Sequence, residues 1–136
     1  MVEADSAKQE NWNAASVRIF SETLSREEIA ERLGLDPDPP RKNVSPTLRQ
    51  PWVMNSRLDR KTHPLEDHIR DVLERLADRR EDLLALGTEV RGDLFLGFSG
   101  WDGQAGSMLA REVVSEAASL GLSITLDVYV FSTDVA

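Results

Sequence analysis

The run DLFLGFSGWDGQAGSMLAREVVSEAASLGLSITLDVYVF, from Asp93 to Phe131, changes pattern three times. Leu94, Phe95, Leu96 and Phe98 form a short apolar run, and Gly97, Gly100, Gly103 and Gly106 follow at spacing three. An amphipathic segment begins near Ser107, burying Leu109, Val113, Val114 and Ala117, and stops at Gly121. Ile124, Leu126, Val128 and Val130 then alternate cleanly with Thr125, Asp127, Tyr129 and Phe131. The periods predict strand, flexible loop, helix and strand. An aliphatic inner face on the last strand leaves an outer face carrying a carboxylate, a phenol and a ring.

Upstream, Ala15 to Phe20 reads as a first strand, with Val17 and Ile19 on one face and Ser16, Arg18 and Phe20 on the other. Ser25 and Glu28 spell a capping box, Leu24 can staple onto Ile29, and Gly34 ends the helix they open. Asp36 to Pro40 cannot be helix, because each proline removes a donor and biases its predecessor toward extended geometry. Arg41 to Ser45 reads as a weak second strand and Pro51 to Ser56 as a third. A long helix opens at Pro64 and repeats Leu65, Ile69, Val72, Leu73 and Leu76 at threes and fours. It either breaks at Asp78, where Asp78 and Glu81 resemble a second capping pair, or continues unbroken to Gly87.

The expected class is α+β, a mostly antiparallel sheet with the helices on one face. A doubly covered parallel sheet would show continuous apolar strands. The first six elements follow the ferredoxin-like βαββαβ order, and the last helix and strand are a C-terminal αβ addition. Residues 1–14 read as a polar tail and 15–136 as a single domain. Trp12 stands out in that tail as an aromatic docking contact.

Composition narrows the chemistry. The chain has 136 residues, enough for one hydrophobic core. It has no cysteine, which excludes disulfides, thiolate nucleophiles and cysteine-ligated metals and permits a reducing, cytoplasmic location. With 24 acidic against 16 basic side chains the formal charge is −8, which opposes binding to nucleic-acid phosphates. No signal sequence or membrane-spanning run is apparent.

Gly97-Phe98-Ser99-Gly100-Trp101 resembles a serine nucleophile elbow, but Trp101 occupies the final glycine position and both histidines precede the serine. The glycine loop, with Ser99, Gly100, Gly103, Gly106 and Ser107, could aim N–H groups at an anion from a helix start. It carries no lysine, none occurring after Lys61, so a plain flexible connection is the competing reading. His63 and His68, five apart, fall on different helical faces, where capping and solvation explain them better than metal binding. Trp52 reads as core, with a pocket wall as the alternative.

Leu33-Gly34-Leu35 running into prolines, Trp52 followed by Ser56, the leucine-rich helix ending near Gly87, and Leu120-Gly121-Leu122 leading to Asp127-Val128-Tyr129 carry a resemblance. Over residues 15 to 131 the chain resembles the bacterial domain-of-unknown-function family numbered 4279. The resemblance implies a bacterial, cytoplasmic, single-domain protein and supplies no catalytic residue; the residues themselves suggest no cofactor or metal. The functional expectation is a non-enzymatic module that binds a protein partner through Arg18, Asp127, Tyr129 and Phe131. The alternatives are a small-molecule or anion site at the glycine loop, and a homodimer formed through an exposed sheet edge.

Overall fold

The computed structural model describes residues 11–40, 42 and 49–132. Its elements run β1 (Asn13–Ser21), α1 (Arg26–Leu33), β2 (Trp52–Asn55), α2 (Leu65–Ala77), α3 (Arg80–Ala85), a 3-10 turn (Gly87–Glu89), β3 (Val90–Trp101), α4 (Arg111–Ser119) and β4 (Leu122–Phe131). The strand expected at Arg41 to Ser45 and most of the N-terminal tail lie outside the described residues.

Local chemistry sets the helix limits. Ser25 Oγ accepts the Glu28 N–H at 3.0 Å and the Glu28 carboxylate accepts the Ser25 N–H at 3.1 Å. A cap of this kind contributes about 1 kcal/mol. Gly34 ends α1 in the left-handed region at φ 70°, donating to the Ala30 carbonyl. Pro64 sits just outside α2, in extended geometry, one position earlier than its expected place inside the helix. The break after Ala77 is real, but no capping pair makes it. Asp78 keeps right-handed geometry, and Arg79, at φ −117° and ψ 24°, precedes α3 without a side-chain cap.

The sheet order is β2-β1-β3-β4, with β1 antiparallel to both neighbours and β3 parallel to β4. It is therefore a mixed sheet, where a mostly antiparallel one was expected, and the ferredoxin-like arrangement is not established. Adjacent parallel strands need a crossover connection, and α4 supplies it between β3 and β4. That unit lies at the sheet's edge with one side open, so its strands keep the one-sided pattern that suggested antiparallel pairing.

One apolar cluster joins Ala15, Val17 and Ile19 of β1, Trp52 and Met54 of β2 and Leu94, Leu96 and Phe98 of β3 to the helices. Ile29 and Leu33 enter it from α1, Ile69, Val72 and Leu76 from α2, and Val113 and Ala117 from α4. The helices therefore share one side of the sheet. Trp52 is fully enclosed, its indole N–H donating to the Leu35 carbonyl at 3.1 Å.

Two readings of the last third need correction. β3 continues through Gly97 and Gly100 to Trp101, and the chain reverses only at Asp102 and Gly103, both with positive φ; α4 then starts at Arg111, well after Ser107. The aliphatic row of β4 is also buried only at its start, since Leu126, Val128 and Val130 are 55%, 43% and 47% exposed. Length explains this. Nine helical residues span about 13 Å, whereas a ten-residue strand spans about 33 Å, so α4 cannot cover β4 to its end.

Candidate functional site

The sheet face opposite the helices presents Ser16, Arg18 and Phe20 of β1, Val53 and Asn55 of β2, Asp93 and Phe95 of β3, and Thr125, Asp127 and Tyr129 of β4. Register places Arg18 directly across from Asp93. Arg18 Nε donates to Asp93 Oδ1 at 2.9 Å and its Nη2 to Oδ2 at 2.5 Å, while Thr125 Oγ1 donates to Oδ2 at 2.6 Å. One carboxylate thus ties three strands together. The Arg18 guanidinium also lies 4.0 Å from the Phe95 ring centroid and 5.1 Å from that of Phe20. Burial alone pushes the Asp93 carboxyl up, but the hydrogen bonds from Arg18 and Thr125 and the charges of Arg18 and Arg91 outweigh it and hold the group below its ordinary value.

A second cluster forms where the chain enters β1. The Trp12 backbone is held by Ser99 of β3, its N–H donating to Ser99 Oγ at 2.9 Å and its carbonyl accepting the Ser99 N–H at 3.2 Å. Its indole lies over Gly97, where an added Cβ would stand 3.0 Å from the ring. The Tyr129 ring is 5.2 Å away and the Arg60 guanidinium 4.3 Å. Tyr129 donates its hydroxyl proton to Asp127 Oδ2 at 2.9 Å. Asp127 and Tyr129 are therefore brought together beside Trp12, Phe131 packs against Trp101 at 5.4 Å, and Arg18 directs its bonds to Asp93. The four predicted residues share one face but divide among three local contacts.

Between the Arg18 cluster and the α1–β2 connection lies a cleft of about 400 Å³ whose walls include Ser16, Arg18, Arg26, Asp38, Arg49 and Phe95. Arg26 donates to the Asp38 carbonyl and Arg49 to the Leu24 carbonyl at 2.9 Å. Both are bonds to neutral oxygens, so the walls carry an excess of positive charge within an acidic chain.

The glycine-rich stretch has a different geometry from the anion cradle considered for it. Ser99 is engaged by Trp12, and Gly100 lies so close to the returning chain that a Cβ would stand 2.0 Å from the Gln104 carbonyl oxygen. Gly103, Gly106 and Ser107 are exposed, and the residue before α4 is Ala110, without a side-chain cap.

His68, expected on a solvated helix face, is completely buried. Its Nδ1 is 2.8 Å from Ser56 Oγ, which also accepts the Leu58 N–H at 3.2 Å; its Nε2 has no partner among the described residues. His63 precedes α2, so helical spacing does not separate the two rings, which meet edge to face at 6.2 Å. The pair anchors the β2–α2 loop and leaves no approach for a substrate to the imidazole. Burial lowers the His68 pKa and the His63 charge adds to this, against the opposing pull of the Asp59 carbonyl, Asp67 and Asp71.

A histidine whose folded pKa is depressed costs stability as pH falls below its unfolded value of about 6.5, because only the unfolded chain takes up the proton; the slope is at most about 1.4 kcal/mol per pH unit. Urea unfolding at pH 7.5 and 5.5 is expected to show a larger loss for the wild type than for His68→Leu. Parallel losses would contradict a neutral, buried role for His68.

Among the described residues no group of three His, Asp or Glu side chains could hold a metal ion, and no helix is long and apolar enough to cross a membrane. The geometry defines a small α+β domain with a four-stranded mixed sheet, one side of which carries paired charge and aromatic contacts. The family model for the Domain of unknown function (DUF4279) matches residues 10–131, and the chain belongs to that family. No curated protein and no solved structure matches it.

Proposed function

We propose that this is a non-enzymatic interaction module, acting in a bacterial cytoplasm, that receives a protein partner on the open sheet face around Asp127, Tyr129 and Phe131, with Arg18 beside them. The observation that carries the reading is the composition of that face. No described helix lies on it, although it displays Phe20, Phe95, Trp12 and Tyr129 next to fixed charge, the combination of aromatic and Arg side chains that interfaces favour. The test is affinity capture from the native host with identification of the retained protein, repeated with Tyr129→Ala. A retained partner that the variant loses, at unchanged thermal stability, supports the module; an empty capture with fully soluble bait argues against it.

A second reading, a small anionic ligand, is favoured by the excess charge of Arg26 and Arg49 over Asp38 in the 400 Å³ cleft, Arg18 being paired with Asp93. The stretch from Gly97 to Ser107 is its other candidate seat. Thermal shift with phosphate, nucleotides and dicarboxylates separates these two: a shift abolished by Arg26→Ala assigns the cleft, one that persists in that variant assigns the loop, and no shift retires both.

A further inference from the structure

We propose that β4 pairs with β4 of a second copy of this chain, antiparallel, about a two-fold axis perpendicular to the sheet and passing through Leu126, so that the two sheets run on as one.

The first support is the edge itself. In the order β2-β1-β3-β4 no described strand occupies the outer side of β4, which is ten residues long; the opposite edge strand, β2, has four. Its sequence, LSITLDVYVF, has one charged side chain, Asp127, and none of the lysines or prolines that normally blunt a free edge. Leu126, Val128 and Val130, exposed on the helix side, make that edge apolar as well.

The second support is the flank of α4. Glu112, Val113 and Glu116 face the groove shared with Arg70, Leu73 and Ala77 of α2, and Val113 and Ala117 point into the core. At 100° per residue Val114 falls on the side away from α2. Because α4 packs against β4, the edge strand, that side overlooks the outer edge, where Val114 is 42% exposed.

Register supplies the third. A perpendicular two-fold keeps both helix layers on the same side, so it pairs residues of like facing. Centred on Leu126, it sets Leu122 against Val130 and Ile124 against Val128 on the helix side, and Ser123 against Tyr129 and Thr125 against Asp127 on the other. Every helix-side pair is aliphatic, and the lone carboxylate meets a hydroxyl. Centring on Asp127 would oppose two carboxylates, which is unfavourable. Centring on Val128 would shorten the ladder and leave Val130 remote from the partner's helix. Of these three, the Leu126 register slides the bare Val128 and Val130 of each copy beneath the α4 flank, with its Val114, of the other. Each helix then covers what its own strand leaves open. The overlapping strands, residues 122–130, make a sheet edge roughly 30 Å long and about 10 Å deep, and each α4 adds a flank about 13 Å long and ~10 Å deep. Each copy then buries about 430 Å², or ~860 Å² in total, the size of a weak, concentration-dependent dimer.

Sedimentation velocity of the purified full chain between about 1 and 100 µM needs no other protein, so it is independent of the open-face reading. A dimer is expected, reduced to monomer by Leu126→Lys with its circular dichroism retained. Because the chain has no cysteine, Leu126→Cys provides one thiol at the axis; mild oxidation is expected to give a covalent dimer, whereas Ser123→Cys, opposed by Tyr129, gives none. The covalent test decides the matter should Leu126→Lys fail to fold. A monomer at 100 µM, or a dimer that neither dissociates in Leu126→Lys nor cross-links in Leu126→Cys, overturns the proposal.

Discussion

Gly100→Ala is expected to lower stability by about 3 kcal/mol, the upper end of what overpacking in a closed site costs, and the midpoint of thermal unfolding by ~10 °C for a chain of this size. The cause is contact. A Cβ at this position would stand 2.0 Å from the Gln104 carbonyl oxygen and 2.5 Å from the Ala105 Cα, both parts of a backbone that cannot rotate aside as a side chain would. Gly106→Ala is the control, since nothing lies within 4 Å of its added Cβ and its φ is not in the left-handed region. That variant should stay within about 0.5 kcal/mol of the wild type. Calorimetry on the two proteins gives the comparison; similar melting temperatures would mean that the 102–110 segment does not pack onto β3.

Asp93→Ala is expected to cost about 2–3 kcal/mol. Breaking a fully buried pair from one side costs more, but here the Arg18 side chain keeps 28% of its exposure and water partly screens what remains. The loss arises because Arg18 and Thr125 both donate to this one carboxylate. Replacing both charges with Arg18→Met and Asp93→Leu should recover part of the loss, since no stranded charge is left. Acid supplies an internal check. The folded carboxyl titrates below its ordinary value, so its contribution is complete above about pH 4 and disappears as pH falls through that lower folded value. Urea unfolding should therefore show the gap between wild type and Asp93→Ala narrowing toward pH 2; a gap that held constant would assign the cost to packing alone.

Local rules made much of this fold readable. Ser25, Glu28 and Gly34 mark α1 because capping and left-handed closure act within a few residues, and the leucine spacing of α2 marks its buried stripe. Glycine misled the reading of β3. Gly97 and Gly100 suggest a loop, yet they are in the strand because Trp12 and the Gln104–Ala105 backbone approach too closely for a side chain. The outer face of β4 could be anticipated from alternation, but its principal partnership could not. Arg18, Asp93 and Thr125 meet only through the register of three strands, and no spacing along the chain encodes that. The burial of His68 is hidden for a similar reason, since helical periodicity says nothing about a loop folding back over the ring. Trp12 gave a usable signal as an aromatic among polar neighbours, and it does dock, with Tyr129 as its contact.

The central position of β1 also bears on how the protein comes into being. The Trp12 N–H finds its acceptor 87 positions downstream, and at ribosomal rates of about 5–20 residues per second that partner is made on the order of ten seconds later. Until then the nascent N-terminal half holds two strands and the apolar stripes of α1 and α2 with most of their platform missing. Chaperone engagement during translation, and rapid proteolysis of any chain released before β3, follow from the same topology.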